Sequence, residues 1–212
     1  MRLAALFVLP LLATAADRVD LHTTEKVEFA PGGTVHIEGS LGDLNIEGWD
    51  QPAVEIDVLR SSWNPKTDLK KIAVTKQLSG KDLTIVTAHR RFLGAQVEYR
   101  IRVPRSTNLV VQHGQGSLSV FDVAGNIEAK VHYGDVILQL PAEPQYSIDA
   151  RAKVGGIYTD PAGSVRHVNL GVGEKLTPAA AGTGKPFDIH VHVGAGGITI
   201  LKLAPRPLLS LN

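Results

Sequence analysis

Apolar and polar residues alternate along most of this chain, and glycines interrupt the alternation at recurring places. The clearest stretch runs from Asn108 to Leu140, NLVVQHGQGSLSVFDVAGNIEAKVHYGDVILQL, and holds two copies of one unit. In each copy the alternation runs into a glycine and resumes two places beyond it. Leu118 and Val120 follow Gly116 in this way, and Val136 and Leu138 follow Gly134. Alternation at period two predicts half-buried β-strands. A glycine inside such a pattern predicts a bend, a bulge or a close backbone approach. A unit that recurs at a fixed spacing predicts layers that cannot bury their apolar faces alone and must stack.

Taken in order, the chain shows an early copy in TVHIEGSLGDLNIEGWD. Val35 and Ile37 precede Gly42-Asp43, Leu44 and Ile46 follow, and Trp49 is placed to cover an edge of the stack. Between Pro52 and Pro104 the strands lengthen. AVEIDVL alternates Val54, Ile56 and Val58, and KKIAVTKQLSGKDLTIVTAHR predicts a hairpin turning at Ser79 to Asp82. QVEYRIRVP puts Val97, Tyr99, Ile101 and Val103 on one face and Glu98, Arg100 and Arg102 on the other. This segment, residues 52–104, reads as a sandwich-like insert. Residues 107–203 read as glycine-anchored repeats, with Gly116, Gly134, Gly155, Gly173 and Gly196 as anchors. The copy at Gly173 is out of register, because Leu176 falls three places after the glycine; a bulge would absorb the shift. Thr177 to Pro186 reads as a surface loop and residues 205–212 as a tail. No window sustains helical periodicity, so the expected class is all-β.

With Gly42-Asp43, Gly134-Asp135 and the run VEYRIRVP leading into TNLVVQHGQGSLSV, the chain resembles the bacterial putative-adhesin domain family, a domain of unknown function built of short β-repeats with a Gly-Asp corner. The likeness extends from Gly33 to Leu203. It implies a repeat-built β-solenoid or β-roll, exported or envelope-associated, without established catalysis. Ser117, Gly156 and Gly197 replace the corner aspartate in three copies, and the family supplies no defined site to carry over.

The first 16 residues, MRLAALFVLPLLATAA, carry a positive start, a short apolar run and a small-residue cleavage pattern, and are expected to be a cleaved export signal. The mature part, residues 17–204, is expected to be one domain. No later apolar run approaches the ~20 residues of a membrane-spanning helix. Loss of Arg2 would leave the cationic residues equal in number to the 21 acidic ones, which argues against a dedicated nucleic-acid binder. With no cysteine in the chain, disulfides, thiolate chemistry and an acyl-cysteine anchor are all excluded.

Candidate chemistry is sparse. Asp43 and Asp135 follow their glycines directly, and Glu174 falls in the same column if the Gly173 copy is read in register. Layers ~4.8 Å apart would put Asp135 and Glu174 ~10 Å apart, near the upper end of the separation used by inverting glycosidases. The simpler reading is that each carboxylate caps its turn by accepting backbone N–H bonds. Of eight histidines (His22, His36, His89, His113, His132, His167, His190 and His192), His190 and His192 share one strand face, as metal ligands do. No third ligand is identifiable, so no metal and no cofactor is expected. His89, Arg90 and Arg91 with Arg100, Arg102 and Arg105 could form a positive patch for an anionic partner. Alternatively they are a solvated face protecting a strand edge. Nucleophile motifs are absent.

The expectation is therefore a non-catalytic, exported binding or scaffolding protein of the periplasm or cell surface. Its binding residues would be Arg90, Arg91, Arg100 and Arg102, and its structural corners Gly42, Asp43, Gly116, Gly134, Asp135, Gly155 and Gly196. Its partner would be an envelope protein or glycan, not nucleic acid, and exposed strand edges would allow self-association. The alternative is an enzyme acting on extracellular polysaccharide through outward carboxylates.

Overall fold

The computed structural model describes residues 18–87, 94–159, 165–169, 173–178 and 186–203. Period-two alternation becomes strand nearly everywhere. In chain order come β1 (Val19–Glu28), β2 (Thr34–Leu41), β3 (Asp43–Trp49), β4 (Ala53–Ser62), β5 (Thr75–Ser79), β6 (Asp82–Thr87), β7 (Ala95–Pro104), β8 (Asn108–Gln115) and β9 (Leu118–Phe121). Then follow β10 (Ile127–Tyr133), β11 (Val136–Leu140), β12 (Tyr146–Val154), β13 (Ile157–Thr159), β14 (Val165–Asn169), β15 (Glu174–Pro178), β16 (Phe187–Ala195) and β17 (Ile198–Lys202). A single 3-10 turn, Leu69–Lys71, is the one helical element among the described residues. The protein is all-β.

Two mixed sheets form. One has eight strands in the order β1-β4-β7-β3-β9-β11-β17-β13, and the other nine in the order β14-β15-β12-β16-β10-β8-β2-β6-β5. The inward residues of both make one contiguous apolar core. Val35, Val111, Ala129 and Val191 contribute from the nine-stranded sheet, and Ile46, Val120, Leu138 and Ile200 from the eight-stranded one. β10 shows how the pattern does this: Ile127, Ala129 and Val131 are buried while Glu128, Lys130 and His132 are exposed. Each fully buried Val, Leu or Ile removes apolar surface from water at a gain of about 1.5–3 kcal/mol.

The anchoring glycines mark where the chain crosses from one sheet to the other. β2–β3, β8–β9, β10–β11, β12–β13 and β16–β17 each leave the nine-stranded sheet, turn, and enter the eight-stranded sheet. Equivalent strands pair in parallel, as in Val131↔His113 and Val136↔Leu118. β6 and β7 behave similarly, lying parallel to β2 and β3.

The expected solenoid does not form. In a solenoid each coil stacks on the one before it in the chain, whereas here the spatial order departs from chain order twice. β6 and β7 lie outside β2 and β3, and β16–β17, the last pair, is inserted between β10–β11 and β12–β13. Antiparallel strands border the layers: β1 and β4 in one sheet, β5, β14 and β15 in the other. The layout is that of a two-sheet sandwich. Residues 52–104 are not set apart from it, since β4 and β7 join one sheet and β5 and β6 the other. The unit at Gly173 is not a parallel layer either. β14 and β15 are an antiparallel pair, and β15 runs antiparallel to β12, with Glu174 opposite Ala152.

Val136 and Leu118 are fully buried and paired across β11 and β9. Replacing either with Asp would put an unpaired charge in the core, at a cost above about 3 kcal/mol. Urea unfolding followed by circular dichroism is expected to show a large loss of midpoint, or no folded baseline, for Val136→Asp and Leu118→Asp. Wild-type midpoints in both would mean these positions do not face the core.

Candidate functional site

At the crossings, five glycines stack on one another in the order Gly42, Gly116, Gly134, Gly196, Gly155. The Gly116 N–H donates to Tyr133 O at 3.0 Å, and the Gly134 N–H donates to Ala195 O at 3.0 Å. Two residues on, the Leu118 N–H donates to Asp135 O at 2.9 Å and the Val136 N–H to Gly197 O at 2.9 Å. Gly134 has φ +136°, which an L side chain rarely adopts, and a Cβ there would collide with the Gly116 carbonyl. The same obstruction recurs up the stack: Gly116 against the Gly42 carbonyl, Gly196 against that of Gly134, Gly155 against that of Gly196.

The corner carboxylates complete this backbone ladder. Asp43 Oδ1 accepts the Ser117 N–H at 2.9 Å, and Asp135 Oδ1 accepts the Gly197 N–H at 2.7 Å. Glu174 Oε2 accepts the Ile157 N–H at 2.7 Å, although it arrives from antiparallel β15. Each acid serves an amide on a neighbouring crossing. In the stack the residues after each glycine run Asp43, Ser117, Asp135, Gly197, Gly156, so the aspartates occupy alternate layers and reach the layers that lack one. Asp135 and Glu174, the candidate acid–base pair, are tied to amides of different crossings.

The outer face of the eight-stranded sheet carries the sequence-predicted arginines. Arg100 and Arg102 stand side by side on β7, interleaved with acids from both neighbouring strands. Arg100 Nη2 donates to Glu47 Oε2 at 2.7 Å, and Arg102 is paired with Glu55. The hydrogen bond and charge of Glu47 raise the Arg100 guanidinium above its ordinary value. Arg102 also lies 4.8 Å from the centroid of the Trp49 ring, with Lys26 5.2 Å from the same ring. Trp49 is fixed in turn by its Nε1–H, which donates to Ala53 O at 2.8 Å. Arg105 bridges Asp50 at 2.7 Å and Asp122. Nearby, a hollow of about 350 Å³ is lined by His22, Asn45, Asp57, Leu59, Glu98, Tyr99 and Arg100, with His22 against Asp57. His89, Arg90 and Arg91 lie outside the described residues. This face is therefore mixed in charge, and its described arginines are neutralised in place.

His190 and His192 are exposed on the outer face of the nine-stranded sheet, and His113 is buried. Among the described residues no group of three His, Asp or Glu side chains is placed to hold a metal ion. What the sequence reading missed lies beside these histidines. Lys130, His192, Arg151 and Lys175 form one row, each on a different strand (β10, β16, β12 and β15). The signal was present in part, for Lys130, Arg151 and His192 each stand four places before an anchoring glycine. Their adjacency depends on the out-of-order stacking, and Lys175 lies on β15, which the sequence reading took as a repeat copy after Gly173 and which instead runs antiparallel to β12.

No protein-family model matches the chain, and no curated protein matches it. Among solved structures, it resembles a putative cell adhesion protein from Clostridium sporogenes, with a TM-score of 0.54 and 15% sequence identity, over 86% of this chain and 100% of that one. The two share a fold. A putative adhesin from Bacteroides fragilis aligns over 86% of this chain and 97% of its own with 10% identity, but its TM-score of 0.26 adds nothing to the fold argument.

The ladder yields a graded expectation. Asp135→Ala should lose about 1–2 kcal/mol of stability through the orphaned Gly197 N–H, and Asp135→Asn less, because it keeps an acceptor oxygen. Gly134→Ala should lose more than either, since it combines a collision with strained backbone worth about 1–3 kcal/mol. Denaturant midpoints of the three variants check the order. Equal midpoints for Asp135→Ala and wild type would show that the carboxylate has no structural role.

Proposed function

We propose that this chain is a non-catalytic, adhesin-like binding or scaffolding protein that is exported and works at the cell envelope. The observation that carries the reading is the division of labour among its side chains. The corner carboxylates on which a hydrolytic mechanism would depend are spent on backbone amides of neighbouring crossings. Glycoside hydrolysis by a carboxylate pair needs an acid and a base flanking one bond, free to exchange protons, and carboxylates held by the main chain are poor candidates. The outward rows, by contrast, are rigidly spaced and take no part in the core, which suits presentation of a binding surface. The fold held in common with the Clostridium sporogenes protein supports an adhesin-like reading. The opening run MRLAALFVLPLLATAA supports export, and no helix among the described residues is long and apolar enough to cross a membrane. On this reading Arg100 and Arg102 belong to a mixed-charge face suited to a polar partner.

Crosslinking capture from the envelope fraction, read by mass spectrometry and glycan analysis, tests this. One dominant envelope protein or glycan is expected to be enriched, and Arg100→Gln/Arg102→Gln reports whether the eight-stranded face carries it. Failure to enrich any partner over a bead control would overturn the binding reading. Release of reducing ends from envelope glycans by the purified protein would overturn its non-catalytic half.

A further inference from the structure

The two outer faces differ in how their cations are compensated. Arg100 and Arg102 on the eight-stranded sheet, and Arg105 in the turn after β7, each have a carboxylate partner from another segment. On the nine-stranded sheet Lys130, His192, Arg151 and Lys175 stand in one row, opposite one another in register: Lys130↔His192, His192↔Arg151, Arg151↔Lys175. Among the described residues Arg151 and Lys175 form no ion pair, and the one partner of Lys130 is Glu128 on its own strand, at 2.7 Å. At a strand spacing of ~4.8 Å the row spans about 14 Å. It lies across a shallow hollow of about 220 Å³ lined by these four residues together with Glu128, Asp149 and His190 of the row beside it.

The neighbouring row has the opposite sign and sets the width of what can bind. Two residues back on β10 and β12, Glu128 and Asp149 stand on either side of His190. The hydrogen bond and charge of Lys130, with a smaller contribution from His190, hold the Glu128 carboxyl below its ordinary range, so it stays ionised. A ligand one polymer chain wide can follow the cationic row with these acids along one side only. A nucleic-acid duplex or a lipid surface would cover both rows and meet repulsion. None of the exposed large apolar side chains among the described residues belongs to the row, so it offers nothing to insert into a bilayer and no aromatic on which to stack a base. The row runs perpendicular to the strands: Lys130 and Arg151 stand two strand spacings apart with the His192 imidazole between them, and Lys175 follows one spacing beyond Arg151. A linear polyuronate, with one carboxylate on every sugar ring, supplies a line of negative charge one chain wide.

We propose that the outer face of the nine-stranded sheet binds a single chain of linear acidic polysaccharide, laid across β10, β16, β12 and β15 with its carboxylates against Lys130, His192, Arg151 and Lys175. The proposal rests on the binding reading above and names the partner class and the face. Recognition is by charge and spacing, so affinity falls as salt shortens the ~10 Å screening length found at 0.1 M.

The test uses the purified full chain, with polygalacturonate, neutral dextran, duplex DNA and phosphatidylglycerol vesicles as probes in a biolayer interferometry series from low to high salt. Binding is expected to polygalacturonate and not to dextran, and to weaken with salt. Lys130→Gln/Arg151→Gln/Lys175→Gln should weaken it by about tenfold or more. The charge-preserving Lys130→Arg/Arg151→Lys pair should retain it. An unchanged unfolding midpoint ties the loss in the triple variant to charge; loss by the charge-preserving pair as well would overturn the proposal. So would an absence of polygalacturonate binding at low salt, binding that survives the triple substitution, or equal binding to DNA or vesicles through the same residues. If envelope capture succeeds while polygalacturonate fails, the proposal falls and the binding reading stands; an empty capture removes the binding reading itself.

Discussion

At the five glycine turns between the two sheets one backbone lies directly against the next with no side chain between, and from Gly116 to Gly155 the contact is glycine on glycine carbonyl. That contact satisfies main-chain donors where they would otherwise turn away from both sheets, and it holds neighbouring crossings at strand spacing. The apolar columns on each side depend on it. If a crossing were wider, Val136 and Leu118 could not sit opposite one another with both fully buried. A Cβ anywhere in the stack would have to displace a carbonyl, and in a ladder one displaced carbonyl shifts the layers next to it.

Because the crossings are held by backbone and the interior by aliphatic packing, the outward positions are released from the task of folding. The carboxylates nearest the crossings are the exception. Asp43 and Asp135 are outward in position but structural in role, each covering an amide that the main-chain ladder leaves over. Farther from the crossings the two faces diverge. On the eight-stranded sheet opposite charges alternate across strands and lock around Trp49, giving a face that is electrostatically closed. On the nine-stranded sheet Lys130, Arg151 and Lys175 fall along one row and Glu128 and Asp149 along the next. Lining up like charges costs stability and contributes nothing to the core, which is why that row draws a functional explanation and the Arg100–Glu47 face does not require one.

Period-two alternation in QVEYRIRVP and in IEAKVHY correctly identified the buried sides of β7 and β10, because strand geometry alone decides which side chains share a face. Gly42, Gly116, Gly134, Gly155 and Gly196 were legible as the places where the chain turns. The solenoid expectation failed for a definite reason. A repeat pattern states that layers stack, but every layer has the same apolar columns and the same glycine, so nothing local says which layer lies next to which. The copy at Gly173 misled for a related reason, since a glycine followed by alternation is equally compatible with an antiparallel strand. The paired state of Arg100 and Arg102 was also out of reach, because their partners lie 53 and 47 residues away in the chain.

The amino-acid sequence by itself determined the class, the strands, their buried faces and the glycine turns, because these follow from backbone geometry and from solvent exclusion within a few residues. Only the tertiary structure decided that the last crossing enters the middle of the stack, that Asp135 serves Gly197, and that Lys130, His192, Arg151 and Lys175 become neighbours. Those outcomes depend on the order in which near-equivalent layers pack, and that order is set by contacts between segments tens of residues apart.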